Sequence, residues 1–238
     1  TFAIAADDID IAIVGGTSFG HAPDFGKGLV EVERTFTVST AVGESPPIYQ
    51  MRYNDQSFYY VQMHGVENKP EGEADGWHFV RTWVALYDLG VKFVFGGATS
   101  GGIDPEYEIG DMVVADDFII IGSHRPQNVL RAAKISRPGI FPNFAAPFSE
   151  DLRKLLIEIA TAKYPGEVYE KGVMVQDDPG RFETPAEIRM MRVMGGDHVS
   201  HNVVTETIYA RQLGIHFAAL NSISNPAVGV RPFKYEDM

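Results

Sequence analysis

The segment Asp178-Pro179-Gly180-Arg181-Phe182-Glu183-Thr184-Pro185-Ala186-Glu187 places an aromatic ring and charged side chains together just before a helix start. Thr184 reads as the N-cap, Pro185 as the first helical residue and Glu187 as the closing partner of a capping box. A ring and a carboxylate beside a rigid helix start suit recognition of a flat heterocycle. Two glycine-rich stretches suggest a second kind of chemistry. Gly15-Gly16-Thr17 and the run from Gly96 to Gly102 can each gather backbone N–H groups around an oxyanion. Each can equally be a tight turn after a strand. Neither has the spacing of a Lys-bearing phosphate loop or of a dinucleotide fingerprint. His198 and His201 resemble a metal pair, but no further ligand stands at suitable spacing, so no metal is expected.

These stretches need a scaffold to hold them. Ile9 to Val14 is mostly apolar and reads as a buried strand. Residues 47–53 and 57–63 read as strands. Val80, Trp83, Val84 and Tyr87 have helical spacing, and Gly90 stops that helix. Val91 to Phe95 is a short buried strand running into the second glycine-rich turn, at 96–102. Met112 to Ala115 and Phe118 to Ile121 are strand material. Residues 122–148 carry four prolines and read as one long loop, which in a compact domain is usually functional or lies at an interface. Ser149 is the expected cap of an amphipathic helix with Leu152, Leu155, Leu156 and Ile159 on one face. A strand at 173–175, helices near 185–194 and 204–213, a strand near 197–200 and a last strand at 217–223 complete the chain. Strands alternating with helices predict an α/β fold whose ligands gather at strand ends.

The chain has 238 residues, 45% hydrophobic and 22% charged, which fits a single domain over 1–238. Its formal charge of −12 argues against a nucleic-acid partner, although a local pocket can still hold an anion. There is no cysteine, hence no disulfide or thiolate metal site, which fits a cytoplasmic protein. No apolar run approaches the roughly 20 residues of a membrane helix, and residues 1–4 do not read as a signal peptide.

In this order along the chain, the residues resemble the trimeric purine nucleoside phosphorylases, especially their methylthioadenosine phosphorylase branch. Ile13-Val14-Gly15-Gly16-Thr17 resembles the first anion loop, and His64-Gly65 part of an Arg-His-Gly motif. Ala98 to Ile103 and Gly110-Asp111-Met112-Val113-Val114 are similar to the second loop and its following strand. Arg125-Pro126-Gln127, Lys171 to Val175, Gly196-Asp197, Glu206 and Ala210-Arg211 continue the likeness. Arg181-Phe182-Glu183-Thr184 with Ala186-Glu187 is its most specific signature, and Ser224-Asn225 resembles the Thr-Asn of 6-oxopurine enzymes.

The resemblance implies a three-layer α/β fold with a mixed central sheet flanked by helices. It implies cleavage of an N-glycosidic bond by phosphate, giving a free base and a pentose 1-phosphate, with no metal or organic cofactor. The transition state is oxocarbenium-like, so an anion belongs beneath the sugar and a donor belongs near the departing base. Thr17, His64, Ala98, Thr99 and Asn202 would hold phosphate. Phe182 would stack on the base, Glu183 would bond its edge, and Asn225 would donate near its ring nitrogen. His201 and, from a neighbouring subunit of a homotrimer, Phe141 would meet the sugar. The implied partners are thus a nucleoside-like substrate, phosphate and further copies of the chain. Competing roles are a core position for Phe182, a solvated helix-start charge for Glu183, and a turn before Pro226 for Asn225.

The sequence also departs from that family. Met63 stands where a phosphate-gripping Arg is expected, a contact worth about 1.5–3 kcal/mol. Asn202 replaces Ser or Thr, His201 replaces a Met that packs on the sugar, and Asp178-Pro179-Gly180 replaces Glu-Gly-Pro. Three functions follow: a phosphorylase with a reworked anion site, a hydrolase using water, or a protein that keeps the pocket without phosphorolysis. The persistence of Thr17, His64 and the base-reading residues favours the first.

Overall fold

The computed structural model describes residues 9–16, 25–63, 76–136, 141–177 and 181–234. Its contacts divide the chain into two compact units. One comprises Thr1–Gly96, Arg125–Pro142 and Ile208–Phe217, the other Gly97–His124, Asn143–Thr207 and Ala218–Met238.

The first unit contains β1 (Ile11–Gly15), β2 (Glu31–Phe36), β3 (Ser39–Thr40), β4 (Gly43–Glu44), β5 (Ile48–Tyr53), β6 (Gln56–Gln62) and β7 (Phe93–Gly96), with helices α1 (Trp77–Asp88) and α2 (Val129–Ala132). β1 lies parallel to β6 on one side and to β7 on the other, while β5 is antiparallel to both β6 and β2. Asn54, at φ 51°, makes the tight β5–β6 reversal. Met51, Phe58 and Tyr60 pack together, and Phe25 stacks on Tyr60 with centroids 4.5 Å apart. α1 buries Phe79, Val80, Trp83, Val84 and Leu86, and Gly90 follows it at φ 82°. Two features escaped the sequence reading. β2 is exposed along nearly its whole length, so it has no apolar face to reveal it. The 122–148 loop contains the short α2, capped by the Asn128 side chain.

The second unit contains β8 (Thr99–Gly102), β9 (Met112–Val114), β10 (Asp117–Ile120), β11 (Val168–Tyr169), β12 (Val173–Gln176) and β13 (His198–Ser200), with α3 (Glu150–Lys163) and α4 (Pro185–Val193). The division between units falls within α5 (Val203–Leu213) and β14 (His216–Pro226). β12 is parallel to β10 and β13, and β8 is antiparallel to β13 but parallel to β14. β9 then joins β14 antiparallel and β11 parallel. The expected α/β class with a mixed sheet is therefore present. Ile103, Val175, Ile188, Met191, Val199 and Ala227 form a core cluster against which α4 sits.

Three local expectations need correction. The glycine-rich run at 96–102 is not one turn, because residues 99–102 form β8. A Cβ on Gly102 would come within 3.3 Å of Ile223 and Tyr107, so a side chain there would press on both. Ser149 occupies the N-cap of α3 without a side-chain cap bond, and Glu150 and Asp151 supply negative charge to its first turn. The apolar stripe of α3 is only partly covered: Leu152 is buried, whereas Leu155 and Ile159 are exposed.

His198, on β13, is fully buried, with Nδ1 3.4 Å from Ser100 Oγ. Burial pushes its imidazole down to about 3, with slight relief from the Gly172 backbone. In the unfolded chain the ring takes a proton below about pH 6.5. The unfolded state thus binds more protons between these values, and stability must fall as pH drops through that window. Urea unfolding should show a loss approaching about 1.4 kcal/mol per pH unit from this group below about pH 6. His198→Gln should flatten that slope, and an unchanged slope in the variant would contradict the assignment.

Candidate active site

The second unit holds a cavity of about 220 Å³ lined by Thr99, Gly101, Phe182, Glu183, Val199, Ser200, His201, Ser224 and Asn225. It lies at strand ends. Thr99 and Gly101 come from β8, and Val199 and Ser200 from β13. Ser224 and Asn225 come from β14, which runs three residues past the expected end at Ile223.

Successive residues of a regular strand face opposite sides of a sheet. Ser224 and Asn225 nevertheless line the same cavity. Against β8, Ile223 pairs with Ser100 and Asn225 with Gly101, so Ser224 is an extra residue in a β-bulge. The buried Asn225 amide is fixed in this position. Its Nδ2 donates to the Pro226 carbonyl at 3.0 Å, and its Oδ1 accepts from Ser224 Oγ at 2.8 Å. Asn225 is therefore part of a strand, not of a turn before Pro226.

Phe182 and Glu183 are fixed by the start of α4. Thr184 Oγ1 accepts from the Glu187 N–H, and Glu187 returns a bond to the Thr184 N–H at 2.7 Å. Arg181 grips the same carboxylate at 2.8 and 2.7 Å. Together these hold the Glu187 carboxyl down at about 2, chiefly through Arg181. The Phe182 ring is 51% exposed, so it is not a core residue, and Glu183 retains only 6% exposure, so it is not a solvated helix-start charge.

Glu183 belongs to a cluster only half legible in the sequence. Oxygen and nitrogen atoms of Asp177, Glu183 and His201 lie within 4.8 Å of one another. His201 Nδ1 is 2.9 Å from Asp177 Oδ1, an ion-pair distance without hydrogen-bond alignment. Burial, then Asp177, raise the Glu183 carboxyl above its ordinary range, while its backbone and His201 pull it down. Asp177 was missed by the sequence reading. It follows β12 directly, just before the signature segment, and only spatial pairing with His201 reveals its place. Among the described residues, these three are the group able to hold a metal ion. The 2.9 Å approach of His201 to Asp177 reads more simply as an ion pair beside a buried carboxyl.

The expected phosphate residues fare differently. Thr17 and His64 lie outside the described residues. Thr99 lines the cavity, and its carbonyl accepts from Ser200 Oγ. Ala98 does not line it, and its N–H donates to Asn221 Oδ1 at 3.1 Å. That donor is therefore committed within the fold. Asn202 is buried, accepts the Glu206 N–H through its carbonyl at the start of α5 and bonds Glu206 through Nδ2. It does not line the cavity either. In the first unit, Met63 is 2% exposed and Phe141 is 96% exposed.

A family model described as the Phosphorylase superfamily matches residues 10–236. The chain is 30% identical over 224 residues to the 6-oxopurine nucleoside phosphorylase of Pyrococcus furiosus, covering 92% of this chain and 80% of that protein. It is 27% identical over 225 residues to a probable S-methyl-5'-thioinosine phosphorylase of Methanothermobacter thermautotrophicus, covering 94% and 74%. Its fold is similar to that of a methylthioadenosine phosphorylase from Schistosoma mansoni solved with tubercidin. That match has a TM-score of 0.78 at 22% identity and covers 92% of this chain and 82% of the other.

Gly101 supplies a direct test of the cavity. A Cβ there would already touch Asn225 Nδ2 and Ala227 at 3.4 Å, so the methyls of Gly101→Val must enter the cavity or displace the amide. Calorimetric titration with a purine base should show at least about a tenfold loss of affinity, from lost room and a misplaced hydrogen bond. Unchanged affinity in the folded variant would place the ligand elsewhere.

Proposed function

This chain belongs to the phosphorylase superfamily, and we propose that within it the chain cleaves the N-glycosidic bond of a purine nucleoside with phosphate, releasing the base and a pentose 1-phosphate. The observation that carries this reading is the convergence of Phe182, Glu183 and Asn225 on one small cavity. An open aromatic face, a buried carboxyl and a fixed amide suit the stacking face and hydrogen-bonding edge of a purine. A volume of about 220 Å³ suits a base-sized group, with the sugar reaching outward past the Thr99, Ser200 and Ser224 hydroxyls. Asn225 both donates and accepts, which suits a 6-oxopurine. The relatives named for 6-oxopurine nucleosides and thioinosine support that preference.

The rate enhancement comes from placement. Asn225 is oriented before the substrate arrives, so its amide can bond the departing base without reorganising. Phosphate supplies the nucleophile, and the reaction uses no metal or organic cofactor. Thr17, His64 and Thr99 carry the anion in this reading, which rests on the sequence resemblance. The nearly fully exposed Phe141 supports a homotrimer in which it covers a neighbour's sugar. The cysteine-free composition fits a cytoplasmic location.

A hydrolytic reading has two observations of its own. Met63 stands where the family has its phosphate-gripping Arg, and the Ala98 N–H is committed to Asn221. Both weaken the anion site. Base release from inosine, guanosine, adenosine and methylthio-nucleosides, with and without phosphate, separates the readings. Release should require phosphate, and Asn225→Ala should lower kcat/KM by about 10²–10³. Equal release without phosphate would establish hydrolysis, and no release from any nucleoside would overturn both.

A further inference from the structure

The cluster of Asp177, Glu183 and His201 gives the base-reading carboxyl two hydrogen-bonding forms. An ionised carboxylate only accepts, whereas a neutral carboxylic acid donates through one oxygen and accepts through the other. The edges of purines differ in the same way. A 6-oxopurine offers a ring N–H donor beside an accepting oxygen. A 6-aminopurine offers an accepting ring nitrogen beside an N–H donor. A neutral Glu183 can close two bonds with either edge, whereas an ionised Glu183 accepts the ring N–H of the first but opposes the accepting ring nitrogen of the second.

We propose that Asp177 and His201 set which form Glu183 takes, so that the ionised side chain selects 6-oxopurines and the protonated one admits 6-aminopurines as well. The proposal rests on the reading that this cavity holds a purine base.

Its support is the placement of charge. The Glu183 carboxyl is buried in the cavity wall with an oxygen within 4.8 Å of an Asp177 oxygen, so burial and the neighbouring carboxylate both favour its acid form. His201 also meets Asp177, with Nδ1 2.9 Å from Oδ1, and lies within 4.8 Å of Glu183. Its imidazolium form draws Glu183 back towards ionisation. Arg181 also acts on Glu183, and its guanidinium is engaged by Glu187. Asp177 and His201 are thus positioning residues that act through Glu183. Asn225 does not titrate, so its preference for one base adds no pH dependence to their ratio.

The test is equilibrium binding of adenine and of hypoxanthine to the intact protein between about pH 5.5 and pH 8, a range in which both bases are neutral and a buried carboxyl can titrate. The adenine-to-hypoxanthine affinity ratio should fall as pH rises, by at most about tenfold per pH unit, since one proton is exchanged. Asp177→Asn removes the charge that favours the acid form and should move the fall to lower pH. His201→Gln removes the opposing charge and should move it to higher pH. Glu183→Gln should make the ratio independent of pH. A flat ratio in the unmodified protein overturns the proposal, as do Asp177→Asn and His201→Gln curves that superimpose on it. If the bases bind with a flat ratio while phosphate-dependent base release persists, only this inference fails. If neither base binds, the functional reading fails with it.

Discussion

The site depends on one extra residue in a strand. Without the bulge at Ser224, Asn225 and its neighbour would alternate across the sheet, and only one could face the cavity. With it, a hydroxyl and an amide stand side by side and bond to each other. The bulge also explains Gly101. The paired strand approaches closely where β14 kinks, and a side chain there would occupy the space the ligand needs.

The opposite wall is held by different physics. Phe182 and Glu183 lie outside the strands, directly before the helix whose start restrains them. A reciprocal cap, a proline at the helix start and a two-pronged Arg181–Glu187 contact restrain the few residues before α4. An exposed ion pair alone is worth little. Here it is combined with the Thr184 N–H bond to the same carboxylate, so three hydrogen bonds share one anchor. The ring can therefore stay half open without collapsing into the core.

Much of this was legible where the determinants are local. The start of α4 could be read letter by letter, because capping residues act over three or four positions. Strands buried on both faces announced themselves through apolar runs. Legibility failed where the cause lay far away in sequence. The β8 glycines looked like a turn because their neighbours lie outside the strand, Ala227 and Asn225 at Gly101 and Ile223 and Tyr107 at Gly102. The strand β2 was invisible because its side chains face solvent. Asp177 gave no signal of its own, since its meaning comes from a histidine 24 positions later in the chain. The donor role expected of Ala98 was likewise decided by Asn221, a residue more than a hundred positions away.

The bulge in β14 has an evolutionary consequence. Its shape is a backbone property, set by strand register and a neighbouring glycine, not by the amide it displays. A lineage could exchange the side chain at position 225 in a single mutational step and inherit the same aim. Diversification of ligand preference would then proceed by swapping the presented group on an unchanged mount, leaving the architecture of the sheet untouched.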